Sequence, residues 1–373
     1  MASNRTLVQS ALFAGLDAGS ARMLPVIGQQ KDISYHSAPA RSVLNGPDVT
    51  GMGYWSINPY VGCAFACAYC YARYAHRYVV ERAAAKASMD DTLAREVAGM
   101  PPWLAFERHV FVKENAAPLL RKALRYGGEK HRALIEGETI VIGTATDPYQ
   151  PAERRYRVTR QLLEVLCEHA DLSIVIITKS PLVTRDIDLL SRLNRHSRVS
   201  VHLTLTTIDR DLARRIEPRA PTPEARLRAL GRLRDAGIDA GINCMPVLPG
   251  ITDNPSALET LVERAAAAGA TYVRACALRL QSEARKRYLP FIDEEFPHLS
   301  ERYRNTYARD HHAGERYRDG LAKFFARLCR RYKVRGGIYD PALENDDERE
   351  SSTSTIAARA TPALAGHQFA LEL

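Results

Sequence analysis

The sequence predicts an α/β fold built on a parallel sheet, and three features carry that expectation. Six short apolar runs recur between residues 51 and 280, helical stretches separate them, and Gly, Pro or Asp-Pro breakers stand at the junctions. Strands that alternate with helices form βαβ units, which pair their strands in parallel. The runs themselves fit strands buried on both faces. The pattern leaves open whether the sheet is open or curled.

Residues 1–50 hold scattered Gly, Ser and Pro with no sustained period, and are expected to form an irregular N-terminal extension. Residues 51–62 read as a strand running into a loop, with Pro59 and Gly62 as breakers, and Tyr71–Ala87 reads as a helix. Thr139–Gly143, Ser173–Thr178, Val199–Thr206, Ile238–Val247 and Thr271–Leu280 follow as strands. Between them Arg157–His169, Leu182–Leu193, Pro223–Ala236 and Ser256–Ala268 read as helices, the third stopped by Gly237. After Pro290 the chain turns helical and basic through residue 340. Residues 341–373 open on the acidic run Glu344–Glu350 and are expected to be a disordered tail.

A chain of 373 residues suffices for one large barrel or two ordinary domains. No run approaches the ~18 apolar residues of a membrane span. The first residues lack the basic and apolar regions of a signal peptide, so no membrane association and a cytoplasmic location are expected. Seven cysteines, an odd number with three in one cluster, argue against a secreted disulfide framework. The net charge of +9 permits an acidic or nucleic-acid partner without requiring one.

The cluster is Cys63-Ala-Phe-Ala-Cys67-Ala-Tyr-Cys70. Three thiolates within eight residues can surround one metal centre if the chain loops around it, and Gly62, Ala64, Ala66 and Ala68 are small enough to allow that. Three ligands leave one coordination position open, which suits a catalytic centre. A structural zinc with His76 as fourth ligand, in a nucleic-acid-binding protein, is the competing reading, although no second Cys-x2-Cys or His-x3-His pair is present. A simple electron carrier is a third.

The spacing C-x3-C-x2-C, with Tyr69 before the last cysteine, resembles the signature of the radical S-adenosylmethionine (SAM) superfamily. Asn58–Cys63, Tyr71-Ala72-Arg73, Gly143–Pro151, Glu217–Pro221 and Pro246–Asp253 resemble, in order, the branch that includes spore photoproduct lyase. The resemblance implies a partial (β/α)6 barrel over residues 51–290, between the extension 1–50 and the C-terminal helical region 291–340. It implies a [4Fe–4S] cluster on Cys63, Cys67 and Cys70. SAM on the fourth iron would be cleaved reductively to a 5′-deoxyadenosyl radical that abstracts hydrogen from a substrate. It further implies an electron donor such as flavodoxin or ferredoxin.

By the same resemblance Tyr69, Thr144, Thr146, Asp147, Lys179, Thr204, Arg226 and Pro246 lie at the cofactor. Each has a plainer reading: Asp147-Pro148 as a turn start, Lys179 as a solvated strand-end lysine, Thr204 as a β-former, Arg226 as a surface cation, Pro246 as a strand stop. The branch places a hydrogen-donating cysteine between the cluster loop and the next core strand, but this chain has none from Tyr71 to Leu166. Cys167 and Cys329 lie in apolar helical stretches and read as core, and Cys244 lies on a strand. Cys276, on one strand face with Tyr272 and Arg274, is the candidate hydrogen donor, or a small core residue. The Arg/Tyr-rich stretch 302–335 is either a nucleic-acid contact or a helix pair capping the barrel with its tyrosines inward.

Overall fold

The computed structural model describes residues 26–30, 32–50, 53–76, 95–97 and 99–338. All six expected strands are present, and all pair in parallel. Trp55–Ile57 (β4) pairs with Thr139–Ile142 (β7), followed by Ser173–Thr178 (β8), Arg198–Thr204 (β9), Asp239–Val247 (β10) and Tyr272–Ala277 (β11). Two further strands extend the sheet. Leu44–Asn45 (β3) pairs antiparallel with β4, and Arg335–Ile338 (β12) pairs parallel with β11. β3 and β12 are opposite edges that do not pair with each other, so this α/β sheet is open rather than a closed barrel.

Burial on both faces, expected from the apolar runs, holds for β4 and for residues 240–244 of β10 but not for most of β8, β9 and β11. One face, with Ile140, Ile142, Ile174, Ile176, Val199, Val201, Leu203, Ile242 and Val273, is buried in the main core. Helices Val158–Leu166, Ile187–Leu193, Pro223–Asp235, Pro255–Ala267 and Glu315–Arg331 cover it. On the other face Val175, Ile177, Ser200, His202, Arg274 and Cys276 are only half-buried. The period-2 alternation was hidden in Ser-Ile-Val-Ile-Ile-Thr because both faces of that strand carry apolar residues.

Residues 26–50 are not irregular throughout. Val26–Gln30 (β1) and Ile33–Ser37 (β2) join Tyr60–Val61 (β5) and His109–Val112 (β6) in a second sheet of order β1-β2-β6-β5. The helix expected over Tyr71–Ala87 begins as a 3-10 turn at Tyr71–Tyr74, and residues 77–87 lie outside the described residues. So do residues 341–373 of the acidic tail. Helix Ser282–Glu295 contains Pro290 and runs across the expected boundary at 290/291. Among the described residues no helix is long and apolar enough to cross a membrane.

The C-terminal tyrosines pack inward. Tyr303 donates to the Pro249 carbonyl (2.7 Å) and Tyr307 to that of Leu278 (3.1 Å). Tyr317 donates to Asp253 (3.0 Å) and Tyr332 to Glu259 (3.1 Å). The rings of Tyr303 and Tyr307 belong to the core and those of Tyr317 and Tyr332 pack against it half-buried, so the reading of 302–335 as an Arg/Tyr nucleic-acid face loses most of its aromatic half.

Gly241 on β10 supports the half-buried sheet face. A Cβ there would stand 2.4 Å from the Tyr272 carbonyl oxygen and 2.7 Å from its ring. Gly241→Ala should therefore destabilise the fold by about 1–3 kcal/mol, read as a lower urea midpoint. An unchanged midpoint would show that Tyr272 does not rest on this glycine.

Candidate functional site

The cysteine loop leaves β5 at the carboxyl edge of the parallel strands. Gly62 has φ +91°, and a Cβ would lie 2.7 Å from the His109 carbonyl oxygen and 2.8 Å from the His76 ring, so only glycine fits. Ala66 also takes a left-handed conformation, at φ 56°, which turns the chain back between Cys63 and Cys67. Main-chain bonds fix the loop: Cys63 N–H to Phe106 O (3.0 Å), Ala68 N–H to Ile216 O (2.9 Å) and Cys70 N–H to Cys67 O (3.2 Å). The buried Gln150 amide accepts from Ala64 N–H and donates to Gly62 O, both at 3.0 Å. Thr146 Oγ1 donates to the same carbonyl (2.7 Å). Arg73, fully buried, donates to the carbonyls of Cys67 (2.5 Å) and Trp103 (2.7 Å) and pairs with Glu107 (2.6 Å).

Cys63 and Cys67 are buried and Cys70 is half-buried; none forms a disulfide. Burial, then Asp147 and Cys70, push the Cys63 thiol up to about 12. Burial also raises Cys67, which feels the charges of Lys179, Glu217, Cys70 and Cys63. Such thiols become thiolates when a metal displaces their protons. Three thiolates can each take one iron of a cluster, whereas a closed zinc site needs a fourth ligand. His76, the suggested fourth zinc ligand, turns toward the second sheet instead: its Nε2 is 2.8 Å from the His109 carbonyl and its ring packs edge-on against Phe106. With His76 turned away, the three-cysteine donor set fits an iron–sulfur cluster.

A buried charge network backs the loop. Glu217 accepts from the Tyr69 hydroxyl and from Thr206 Oγ1 (3.1 Å), and pairs with Arg226. Arg226 also donates to the carbonyls of Thr204 (3.0 Å) and Pro221 (2.7 Å). Burial raises the Glu217 pKa, but Arg226 and Lys179 outweigh it and the net shift is downward. Burial pulls Lys179 down, but Cys67 and Glu217 outweigh it and the net shift is upward. The Lys179 ammonium lies 5.6 Å from the Tyr69 ring centre, and among the described residues no carboxylate reaches ion-pair distance of it. It is the cation with hydrogen-bonding capacity to spare beside Cys67.

The loop after β7 locks onto the cysteine loop. Asn58 donates to Thr144 Oγ1 (3.0 Å) and accepts from Ala145 N–H (2.8 Å). Asp147 accepts from Thr178 Oγ1 (2.7 Å), Lys179 N–H (2.7 Å) and Tyr149 N–H (2.9 Å), which uses both its oxygens. The structure thus brings Tyr69, Thr144, Thr146, Asp147, Lys179, Thr204 and Arg226 around the cysteine loop. Asp147, Tyr69 and Arg226 spend their polar atoms inside the protein. Pro246 is near the end of β10. Cys276 is on the half-buried face of β11, its thiol pushed up to about 12 by burial. Leu278 and Leu280 share an apolar cluster with Cys63 and Cys67, which places the end of β11 beside the loop. Sequence reasoning assigned no role to Glu217, Gln150 or Arg73, although each lies in a quoted motif; their partners are distant in sequence.

A family model described as the radical SAM superfamily matches residues 57–262. An uncharacterised protein of Mycobacterium tuberculosis is 33% identical over 306 residues, 82% of each chain. A radical SAM Nα-GlyT isomerase of Pseudomonas phage M6 is 31% identical over 158 residues, 42% of this chain and 32% of that one. Among solved structures, a spore photoproduct lyase variant with bound AdoMet and dinucleoside spore photoproduct has a similar fold. Its TM-score is 0.56 at 14% identity, covering 85% of this chain and 87% of that one.

Glu217 contributes stability that is complete above its unfolded value of 4.5 and is lost as the pH falls through its lower folded value. Glu217→Gln should cost about 3–5 kcal/mol at pH 7, because Arg226 is left as an uncompensated buried charge. The gap between the two proteins in urea midpoint should narrow on acidification below that range. A gap independent of pH would mean that Glu217 is not an ionised partner of Arg226.

Proposed function

Because this chain belongs to the radical SAM superfamily, we propose that Cys63, Cys67 and Cys70 hold a [4Fe–4S] cluster and that the enzyme abstracts hydrogen from a nucleic-acid-derived substrate. The observation that carries this reading is the cysteine loop itself: three thiols, with His76 turned away from them, fixed at the carboxyl edge of a parallel sheet beside an unspent ammonium. The cluster and SAM together supply, after one-electron reduction by a flavodoxin- or ferredoxin-type donor, a 5′-deoxyadenosyl radical.

The chain's own residues divide into two groups. Lys179, Thr144 and Thr204 face the cofactor space, and Lys179 is the partner for the carboxylate of SAM. Tyr69, Thr146, Asp147 and Arg226 position the loops that form its walls, and Pro246 closes it at the end of β10. Cys276 is the hydrogen donor of the set: burial keeps its thiol protonated at neutral pH, as donation of a hydrogen atom from sulfur requires.

Three facts support a nucleic-acid-derived substrate. The phage relative is named as a Nα-GlyT isomerase, the similar fold was solved with a dinucleoside photoproduct, and the net charge is +9. The thymine-dimer reaction itself is not carried over, because this chain has no cysteine between Tyr71 and Leu166.

Anaerobically reconstituted protein should contain about four iron and four sulfide per chain, and Cys63→Ala, Cys67→Ala or Cys70→Ala should each abolish the reducible cluster signal. Stoichiometric zinc without iron would overturn the assignment. Lys179→Ala should retain its iron yet bind SAM at least tenfold more weakly, the loss of about one charge-assisted hydrogen bond. Unchanged SAM affinity in that variant removes Lys179 from the cofactor.

A further inference from the structure

A second basic cluster lies at the mouth of the sheet, where β11 ends. Arg279 stands between Leu278 and Leu280, both buried against the cysteine loop, so by strand alternation its side chain leaves on the other side. The segment Asp310–Ala313 runs antiparallel beside it, with Leu280 N–H bonded to the His311 carbonyl (2.7 Å) and a bridge between Arg279 and His312. Arg279 Nη2 lies 3.2 Å from His311 Nε2, and the two histidine rings are 4.1 Å apart. Arg285 reaches the Asp310 carbonyl from the next helix (3.5 Å). Arg318, on helix Glu315–Arg331, acts electrostatically on His312 together with Arg279.

What distinguishes this group is the lack of counter-charge. Arg73, Arg160, Arg185 and Arg226, by contrast, each hold a carboxylate. Among the described residues Arg279, Arg285 and Arg318 form no ion pair, and the Nε–H of each is buried without a partner. Asp310 is exposed, lies 3.4 Å from His311, and accepts the His312 N–H. A buried Nε–H left without a partner carries a desolvation cost that a bound anion would relieve. Guanidinium forks and imidazole N–H donors match the oxygens of a tetrahedral phosphate.

We propose that Arg279, Arg285 and Arg318, with His311 and His312, form a phosphate-binding subsite at the end of β11 that anchors the substrate's phosphate. The carrier of that phosphate rests on the nucleic-acid reading above; the anion site does not. The distinction fixes the experiment, which uses the full-length, cluster-loaded protein and four probes: inorganic phosphate, thymidine, thymidine 5′-monophosphate and a labelled single-stranded oligonucleotide. Binding is measured by calorimetry and fluorescence anisotropy.

Arg279→Gln/Arg318→Gln should weaken phosphate and the monophosphate at least tenfold. It should also lower the oligonucleotide's salt slope by about 0.7 log units for each lost contact. Arg285→Gln serves where the double variant does not fold, thermal unfolding being the check. Arg330→Gln/Lys333→Gln removes two exposed charges elsewhere and should leave phosphate binding unaltered. Equal weakening by both pairs, or no weakening by the Arg279/Arg318 pair, overturns the subsite. Phosphate binding that depends on Arg279 and Arg318, with no tighter binding of nucleotide or oligonucleotide, upholds the anion site and overturns the nucleic-acid reading instead.

Discussion

The geometry of the site depends on one buried side-chain amide. Gln150 begins the helix after β7, yet both ends of its amide are spent on the cysteine loop, at Gly62 O and Ala64 N–H. A buried carbonyl and N–H left unbonded would each cost roughly 1–3 kcal/mol, so the loop has one favourable seat against the parallel strands. Thr146 reinforces the same carbonyl, and Asn58 ties the strand before the loop to the strand-end Thr144 and Ala145. The loop is therefore preorganised by neutral hydrogen bonds before any metal arrives. That leaves the thiols as the groups whose protons must be displaced.

Charge is handled differently on the two sides of the loop. Behind it, Glu217 and Arg226 are both almost wholly buried and are satisfied by one another, by Tyr69, by Thr206 and by main-chain carbonyls. A pair so completely bonded contributes rigidity more than net stability, because desolvation offsets its attraction. In front of it, Lys179 has no such partner, and at the end of β11 Arg279, Arg285 and Arg318 form no ion pair among the described residues. Unbalanced positive charge at the carboxyl edge of a parallel sheet is what anionic ligands require.

The second sheet explains why the loop can lean so heavily on local bonds. β2 and β6 bring His36 and His109 together, 3.0 Å apart, under the same glycine that starts the cysteine turn. Arg73 then fastens the far end of the loop to Trp103 and Glu107 in the helix that precedes β6. Both ends are anchored to structure outside the parallel sheet, and a shift in either would move the sulfurs relative to the strand ends.

The sequence by itself determined the six strands, their βαβ alternation and the cysteine triad, because apolar runs, breakers and covalent spacing are local properties of the chain. It also carried the motifs that hold Glu217, Gln150 and Arg73, though not their roles. Tertiary structure alone decided that the sheet stays open, that one of its faces is half-exposed, and that residues 26–37 make a sheet with 109–112. It also turned the C-terminal tyrosines inward, for Tyr303 and Tyr307 find carbonyls on loops far away in sequence. The physical reason is common to all of these. A residue's type and period are written at its own position, whereas its hydrogen-bond partner and counter-charge belong to whichever distant segment the fold packs against it.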